Sequence, residues 1–582
     1  MPQSLTRLSE IPTEYVFTFK EGVFATLIGG LVGLIIALFA KIFDVVECAV
    51  KNVWFINNWT VIISPIIGLL ISEYVIRKIA KVKSTGCGTH GFLEAYHFRD
   101  AYIHPMDTIS KSLAAVTTIG FGGSAGLEGP SLTLGGGLVS ALYEALKIKE
   151  EERYRFFLAG AAAGISAIFH APLTGVLFAL EIPYKRDIER GAFIDATLSS
   201  VTSYIVFISI HGTEALFPRL SYLPLLLDPR NILYSMLIGA IASVIGIAFI
   251  YMYRYLEKTV NALKHRYSWI PVNLTFGLLI GLIGFIEPRV LGTGYDVIRE
   301  AAHGSLKIYT FTKNAYYNTI LTCVILIVLK SLTTSLTLTS GGTGGLFIPS
   351  IYVGAMVGYM FSILEPTVPA EVFVTAGMAS LIAVTNKTVL TAVAFAAETV
   401  GPSTIITMMI AATISYFASG NYSFYDTQAL HKPSEKEIAL RELYVHFEAL
   451  ENKGKILRAK DVMTTPMCLL RSDMTLKKAL DTIRNKPFRV FPVTDAEGRF
   501  VGECFIEDLL AAAEKNPHIP LADFLVKPTL IVTPNFRIKL IIRRMIEENR
   551  TRAYVVDKEG RLIGIITTKD IILKLLPYLL SS

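Results

Sequence analysis

Long apolar runs without charge fill roughly the first three quarters of the chain. The run 23–40 has no charged side chain and is long enough for a helix that crosses a bilayer, which takes about 20 residues. Further uncharged runs are 112–127, 196–210, 231–253, 274–286, 315–329, 331–364, 372–386 and 399–425. The pattern predicts a polytopic α-helical membrane protein.

Glycine and proline interrupt several of these runs. The run 331–364 is uncharged throughout, yet it contains a GGTGG stretch and Pro349. We interpret it as two half-helices that meet at a break. Irregular backbone is tolerated at membrane depth only where it is buried in protein or lines a cavity. Interrupted spans therefore favour a transporter or channel over a receptor or a simple anchor.

The membrane part contains an internal repeat. GGSAGLEGP at 122–130 returns as GGTGGLFIP at 341–349, an offset of 219 positions. APLTGVLFALE at 171–181 returns as TVLTAVAFAAE at 388–398, an offset of 217. Two matches at nearly one offset indicate a duplicated half. Corresponding broken segments in two halves point to a substrate site at their interface.

A single charge, Glu128, lies in the first glycine-rich stretch. A carboxylate at membrane depth is costly and marks a functional site by default. A helix that begins abruptly after glycines presents unpaired N–H groups, which suit an anion. We predict an anion site with a carboxylate beside it; the alternative is a packed glycine turn. In the second half Phe347 stands in the place of Glu128, so the site is chemically asymmetric.

Composition separates two regimes. The chain is 52% hydrophobic, and charge is sparse up to about Tyr425 and dense afterwards, so a soluble part follows the membrane part. The net charge of +7 comes mostly from Lys and Arg that flank apolar segments, so we expect no nucleic-acid partner. The five cysteines have neither CxxC nor Cys/His spacing, so the sequence predicts no disulfide framework and no zinc site.

The soluble part also repeats. From about residue 459, short strands alternate with amphipathic helices, an α/β signature. DAEGRFVGECFIEDLL at 495–510 matches DKEGRLIGIITTKDII at 557–572, an offset of 62. The charged sequence before it predicts a linker helix that leaves the membrane on the cytoplasmic side.

Four segments, taken in order, resemble the anion-site motifs of the CLC chloride channel and transporter family. They are GCGTH at 86–90, GLEGP at 126–130, GLFIP at 345–349 and Tyr425 in SFYD. The segment 159–181 is also similar to that family's pattern. The resemblance implies two inverted repeats of broken helices, anion transport, and a homodimer with one pore in each subunit. The tail resembles the pair of CBS domains that many members carry.

The resemblance also implies roles for individual residues. The anion would lie among Cys87, the backbone N–H groups of Leu346 and Phe347, and the hydroxyl of Tyr425. Glu128 would be the gating glutamate, which occupies the outer anion site when ionised and moves away when protonated.

Three positions depart from the family's pattern. Cys87 stands where Ser or Pro is usual, and a thiol is a weak donor, which puts the anion selectivity in doubt. Leu127 replaces the usual Arg or Lys before the gating glutamate. Ile182 replaces the internal proton-accepting glutamate, and an aliphatic side chain cannot carry a proton. A channel-like or weakly proton-coupled pathway is therefore favoured. An H+/Cl- antiporter is the alternative, because some transporters of the family lack that glutamate.

Two further carboxylates, Glu181 and Glu398, occupy equivalent places in the repeat. We interpret them as helix-end or interface carboxylates, which the end of a helix can stabilise without a functional role.

Pairs of CBS domains often bind adenine nucleotides in the cleft between them. GIITTKD at 564–570 keeps the ribose-binding signature, with the hydroxyl of Thr567 and with Asp570 as acceptor for a ribose diol. Phe488 matches the place where an aromatic ring packs on adenine. The first copy has Phe505 in place of the hydroxyl, so at most one good ribose site is implied. We expect no required cofactor, but ATP, ADP or AMP as a regulator; packing alone is the alternative.

The predicted domains are an N-terminal cytoplasmic segment over 1–20, a CLC-type domain over 21–425 with halves 21–214 and 229–425, a linker helix over 426–458, and CBS domains over 459–515 and 516–582. Expected partners are chloride or other small anions, protons in the coupled alternative, the bilayer and a second copy. We expect a multi-pass protein of a prokaryotic cell membrane with both termini cytoplasmic. The membrane part contains no nucleophile–base pair or phosphate loop, so an enzyme is not predicted. A membrane-anchored nucleotide sensor is a weaker alternative, which the broken repeat and Glu128 disfavour.

Overall fold

The computed structural model describes residues 19–143, 145, 148–213, 216–217, 228–433, 444, 456–465, 468–484, 486, 488–525, 530–548 and 550–573. The chain divides into two compact units, Met1–Lys432 and Pro433–Ser582. Most of the N-terminal segment predicted over 1–20 and most of the linker helix predicted over 426–458 lie outside the described residues. Of the described residues of that linker, 426–433 and 456–458 are not helical, and Tyr444 is helical.

The first unit is helical. Its first half contains α1 (Phe19–Ile56), α2 (Thr60–Ile79), α3 (Gly88–Phe98), α4 (Pro105–Gly120), α5 (Glu128–Ala141), α6 (Glu150–Phe169), α7 (Pro172–Glu181) and α8 (Phe193–His211). Its second half contains α9 (Pro229–Tyr267), α10 (Trp269–Ile286), α11 (Tyr295–Ala302), α12 (Ala315–Thr339), α13 (Phe347–Ser362), α14 (Ala370–Thr385), α15 (Val389–Thr399) and α16 (Ile405–Ala418). Among the described helices, six are long and apolar enough to cross a membrane: α1, α2, α8, α9, α10 and α12.

The predicted break in the run 331–364 is confirmed, because α12 ends at Thr339 and α13 begins at Phe347. The division that we placed at Lys330, between the runs 315–329 and 331–364, was wrong. Lys330 lies inside α12 and is fully buried. Its ammonium donates to the carbonyls of Val290 and Gly292, at 3.2 and 2.9 Å, so the helix continues through the charge.

Two short helices show how the halves are related. Glu398, near the end of α15, accepts hydrogen bonds from the N–H groups of Leu173 and Thr174 at the start of α7, at 2.9 and 2.7 Å. Glu181, at the end of α7, accepts the equivalent pair from the start of α15, at 3.0 and 2.7 Å. Each helix end contacts the other helix's beginning, so α7 and α15 are antiparallel. This is the arrangement of inverted repeats. The interpretation of both residues as helix-end carboxylates is confirmed.

The second unit contains two similar α/β copies. The first has β3 (Leu470–Arg471), β4 (Val490–Thr494) and β5 (Phe500–Phe505), with helices at Ala459–Val462, Leu476–Ile483 and Ile506–Lys515. The second has β6 (Ile531–Val532), β7 (Arg552–Val556) and β8 (Leu562–Thr567), with a helix at Ile538–Glu547. In each copy the first strand pairs parallel and the last pairs antiparallel with the middle strand.

The two copies meet along equivalent turns. The N–H of Phe500 donates to the carbonyl of Gly560 at 2.9 Å, and the N–H of Leu562 donates to that of Gly498 at 3.3 Å. These pairs differ by the repeat offset of 62, so an approximate two-fold axis relates the copies.

The carboxylate exchange between α7 and α15 makes a testable prediction. Glu398→Ala leaves the first N–H groups of α7 without their acceptor. Loss of such a cap costs about 1 kcal/mol. We expect a lower apparent melting temperature for the purified protein in detergent. Glu150→Ala is the control, because that side chain is 88% exposed. Equal melting temperatures for both variants would contradict the capping role.

Candidate anion-binding site

The two breaks in the repeat contact each other at equivalent glycines. Gly126 and Gly345 exchange backbone hydrogen bonds, with N···O distances of 3.0 and 2.8 Å. The equivalent hydroxyls of Thr118 and Thr337 each accept one further N–H from the opposite break, at 3.0 and 3.1 Å. A local two-fold axis therefore passes between the glycines, and the beginnings of α5 and α13 meet there.

Each break begins with a glycine in a left-handed conformation. The φ angles are +93° at Gly122 and +113° at Gly341, which any residue with a Cβ rarely adopts. The backbone can therefore leave α4 and α12 sharply and turn towards the start of the next helix. This explains why glycine opens both breaks.

Glu128 is the first residue of α5, and its side chain reaches α13. Oε1 accepts a hydrogen bond from the backbone N–H of Phe347 at 2.6 Å. Phe347 is the first residue of α13, so this N–H is one of the donors that a helix leaves unpaired at its beginning. Glu128 is 1% exposed, and its Oε2 has no hydrogen-bond partner among the described residues. The carboxylate thus occupies a place that suits a small anion.

Glycines leave the space for this carboxylate. A Cβ on Gly345 would lie 2.0 Å from Glu128 Oε1, and a Cβ on Gly126 would lie 1.9 Å from Oε2. Real Cβ atoms do not approach oxygen so closely. Any side chain at either position would therefore displace the carboxylate from the beginning of α13.

Phe347 gives the second half a different chemistry at the equivalent position. Its ring centroid lies 5.2 Å from that of Phe169, 5.2 Å from that of Phe178 and 5.4 Å from that of Phe395. The first half thus supplies a carboxylate, and the second half supplies a ring within an apolar cluster. Leu346, directly before α13, is also fully buried.

Cys87 joins the site through a pair of two-residue strands. β1 (Gly86–Cys87) pairs parallel with β2 (Thr343–Gly344), which lies in the break before α13. Cys87 is buried and directly precedes α3. A Cβ on Gly88, the first residue of α3, would lie 2.6 Å from the backbone of Gly129 in α5. The beginnings of α3, α5 and α13 therefore converge.

Tyr425 is fully buried against the first turn of α3. Its ring centroid lies 5.0 Å from that of His90. Its hydroxyl donates to Oδ1 of Asn386 at 2.9 Å. Asn386 was not predicted from the sequence. The only signal for it there is an amide residue at the end of the apolar run 372–386. The structure thus brings Cys87, Glu128, Leu346, Phe347 and Tyr425 onto elements that meet at this point.

Two lysines that are buried in the structure were also not predicted from the sequence. Lys111 and Lys330 differ by the repeat offset of 219, and both are buried. Among the described residues neither forms an ion pair with a carboxylate. A Cβ on Gly91 of α3 would lie 2.5 Å from the ammonium of Lys111. The repeat therefore places one lysine at the same position in the interior of each half.

Ile182 follows α7 directly and is fully buried. Its carbonyl accepts a hydrogen bond from the side-chain amide of Gln428 at 2.9 Å. The backbone at this position is therefore fixed by a hydrogen bond. The side chain is apolar and cannot accept a proton, as the sequence predicts.

The predicted nucleotide residues lie in the second unit. The N–H and the hydroxyl of Thr567 donate to Oδ2 of Asp570, at 2.9 and 2.6 Å, so these two residues lie together after β8. Phe488 belongs to the other copy, is 40% exposed and lies 6.4 Å from Phe491 between ring centroids. No contact joins Phe488 to the other two residues among those that the structure describes.

A buried contact connects the two copies. The rings of Phe500 and Tyr554 stack with centroids 4.4 Å apart, and the Tyr554 hydroxyl donates to Glu503. Burial, with the adjacent carboxylate, raises the pKa of Tyr554 well above its usual value. The phenol therefore stays protonated and keeps donating at physiological pH.

Comparison with known families assigns both units. A family model described as "Voltage gated chloride channel" matches residues 67–420. A model described as "CBS domain" matches residues 459–515 and 521–577.

Two curated relatives match half to two thirds of this chain. An uncharacterised protein of Methanocaldococcus jannaschii is 28% identical over 391 residues, which cover 67% of this chain and 90% of that protein. The H(+)/Cl(-) exchange transporter ClcA of Vibrio vulnificus is 27% identical over 300 residues, which cover 50% of this chain and 61% of ClcA. The match thus spans less than two thirds of that transporter.

Solved structures agree on the fold. A CLC-type fluoride/proton antiporter superposes with a TM-score of 0.61 at 22% identity, and covers 72% of this chain and 100% of its own. A eukaryotic CLC transporter superposes with a TM-score of 0.56 at 18% identity, and covers 95% of this chain and 98% of its own. The fold is therefore the CLC fold, in agreement with the sequence-based expectation. Since the first family model covers more than half of the residues, the chain belongs to the voltage-gated chloride channel (CLC) family and carries a C-terminal pair of CBS domains.

Proposed function

We propose that this protein moves chloride or another small anion across a membrane through the site where α3, α5 and α13 begin, with Glu128 as the gate. The hydrogen bond between Glu128 Oε1 and the Phe347 N–H carries the proposal. An ionised carboxylate at this position takes the place of an anion. Protonation removes its charge and its hold on the N–H, and an anion can then bind.

Anion movement is coupled to protons in this proposal. Glu128 can carry one proton for each release of the gate, and a curated relative is named an H(+)/Cl(-) exchange transporter. Ile182 favours the second candidate, a channel-like pathway, because that position has no proton acceptor. The anion ligands are the backbone N–H groups of Leu346 and Phe347, with Cys87 and Tyr425 at the inner end.

The assembly is a homodimer in a prokaryotic cell membrane, with both termini on the cytoplasmic side. Arg77 and Lys78 in the last turn of α2 support this orientation, because positive charge marks cytoplasmic ends. The domain limits of 21–425, 459–515 and 516–582 belong to the same proposal.

Substitution of Glu128 tests the gate and the coupling together. The side-chain amide in Glu128→Gln is uncharged at every pH and therefore resembles the protonated carboxyl group of Glu128. We expect chloride flux to persist, proton movement to stop and the pH dependence of flux to disappear. Purified protein in liposomes under a chloride gradient, with external pH recorded, measures all three. Glu150→Gln is the control, since its side chain is exposed.

The wild type decides between the two candidates in the same assay. Proton uptake driven by the chloride gradient supports coupled exchange, and chloride flux without proton movement supports the channel-like pathway. A wild type without anion flux, or a Glu128→Gln protein with unchanged pH dependence, contradicts the proposal.

A substitution at a neighbouring glycine also displaces the carboxylate of Glu128. In Gly126→Ala the new Cβ would lie 1.9 Å from Glu128 Oε2, and its three nearest atoms all belong to the Glu128 side chain, so the carboxylate must move. We expect the ratio of chloride flux at acidic and neutral pH to fall at least about threefold towards one, since the ionised gate no longer blocks the site. Gly30→Ala is the matched control, because its nearest neighbour would be 3.9 Å away. The same flux ratio in both variants would refute this steric argument.

At the CBS pair, we expect an adenine nucleotide to bind and to regulate flux. Asp570 supplies the acceptor for the ribose hydroxyls, and hydrogen bonds to a charged group contribute about 1.5–3 kcal/mol. Asp570→Asn should therefore bind at least about tenfold more weakly, while it can still accept from Thr567. Calorimetric titration of the full-length protein with ATP, ADP and AMP measures the change. Asp473→Asn, at an exposed pair, should bind normally. Absence of binding by the wild type would exclude the nucleotide.

A further inference from the structure

The segment after α7 folds back onto the end of that helix. The backbone N–H of Glu189 donates to the carbonyl of Leu180 at 3.0 Å, which places Glu189 beside the turn that contains Ile182. The ammonium of Lys432 donates to Glu189 Oε1 at 2.8 Å. Lys432 is the last residue of the first unit. Glu189 therefore lies on the face of the membrane unit where the chain leaves towards the CBS pair.

The carboxylate of Glu189 connects the surface to buried hydroxyls. Glu189 is 8% exposed, whereas the side chain of Lys432 is 48% exposed. Oε2 accepts a hydrogen bond from the hydroxyl of Tyr96 at 3.2 Å, and the hydroxyl of Tyr184 lies 3.3 Å from that of Tyr96. Both tyrosines are buried. One oxygen thus faces the solution side and the other faces a chain of groups that can donate and accept protons.

Glu181, although adjacent to Ile182, is held in a structural role. Its Oε1 accepts from the N–H of Leu390, and its Oε2 accepts from both the N–H and the hydroxyl of Thr391. Protonation would break the contacts that hold α15 against α7. The described contacts of Glu181 therefore all serve the packing of α7 against α15.

The titratable and charged groups around Glu189 come from three segments. They are Tyr96 and His97 on α3, Tyr184 and Asp187 on the segment after α7, and Lys432. Lys432 is the charged partner of Glu189, and its side chain is 48% exposed. The pair therefore lies between the buried hydroxyls and the solution.

Tyr96 lies on the helix whose beginning borders the anion site. Tyr96 lies nine positions after Cys87 along α3, which corresponds to about 13 Å at 1.5 Å per residue. A proton that leaves Tyr96 therefore has about 13 Å to travel to reach the beginning of α3.

We propose that Glu189 is the group that exchanges protons with the solution on this face, in place of the carboxylate that Ile182 cannot supply. A hydronium ion gives its proton to Glu189, the Tyr96 hydroxyl accepts it and releases its own proton to water on the inner side, and Glu189 returns to a carboxylate. The proposal rests on the coupled transport proposed above. It identifies a proton-transfer residue outside the four anion-site segments.

Glu189→Gln tests the assignment in the full-length protein in liposomes. The amide can still accept from Tyr96 but cannot take up a proton. We expect the ratio of protons to chloride ions moved to fall at least about tenfold, because general acid–base groups contribute about 10²–10⁴ to proton transfer. Chloride flux should stay within about twofold of the wild type. Glu189→Asp, which keeps a titratable group, should retain coupling.

Glu94→Gln is the matched control: this carboxylate also lies on α3 and pairs with Arg99 at a half-exposed position. It should leave the ratio unchanged. Coupling that survives in Glu189→Gln would overturn the assignment. So would equal losses of proton and chloride movement, or equal effects of Gln and Asp, because these indicate a packing role. A wild type that moves chloride without protons would instead refute the coupled function itself.

Discussion

The hydrogen bond between the carboxylate of Glu128 and the N–H of Phe347 determines the arrangement of the membrane unit around it. A buried carboxylate is costly unless it is hydrogen-bonded, and here the partial positive charge at the beginning of α13 offsets that cost. The contact requires two breaks at matching depth and glycines beside both carboxylate oxygens. It also leaves Oε2 without a partner among the described residues. In the proposed gate the ionised carboxylate is held by this hydrogen bond, and protonation releases it.

Duplication explains much of the fold, and the differences between the halves explain the chemistry. Gly126 with Gly345 and Glu181 with Glu398 occupy equivalent places and make matching interactions, and Lys111 and Lys330 are both buried at equivalent positions. At one equivalent position the halves differ, because a carboxylate in the first faces a phenylalanine in the second. A symmetric frame thus holds one proton-binding group beside an apolar cluster. This asymmetry gives the buried site two chemically unlike sides.

The sequence revealed those features that depend on local pattern. Glycine runs marked the breaks, a repeated offset marked the two halves, and an isolated charge marked Glu128. It did not reveal features that depend on distant partners. Lys330 looked like the end of a membrane segment, because nothing local shows that two carbonyls from a remote loop bind its ammonium. Asn386 and Glu189 were missed for the same reason: their partners, Tyr425, Tyr96 and Lys432, lie far away in the chain.

The central claim is that the carboxylate of Glu128 occupies an anion position at the beginning of α13. Anomalous diffraction from crystals grown in bromide tests it directly, with the wild type and Glu128→Ala compared. We expect a bromide peak at hydrogen-bond distance from the N–H of Phe347 in Glu128→Ala and no peak at that position in the wild type. Bromide at this position in both proteins, or in neither, would contradict the claim.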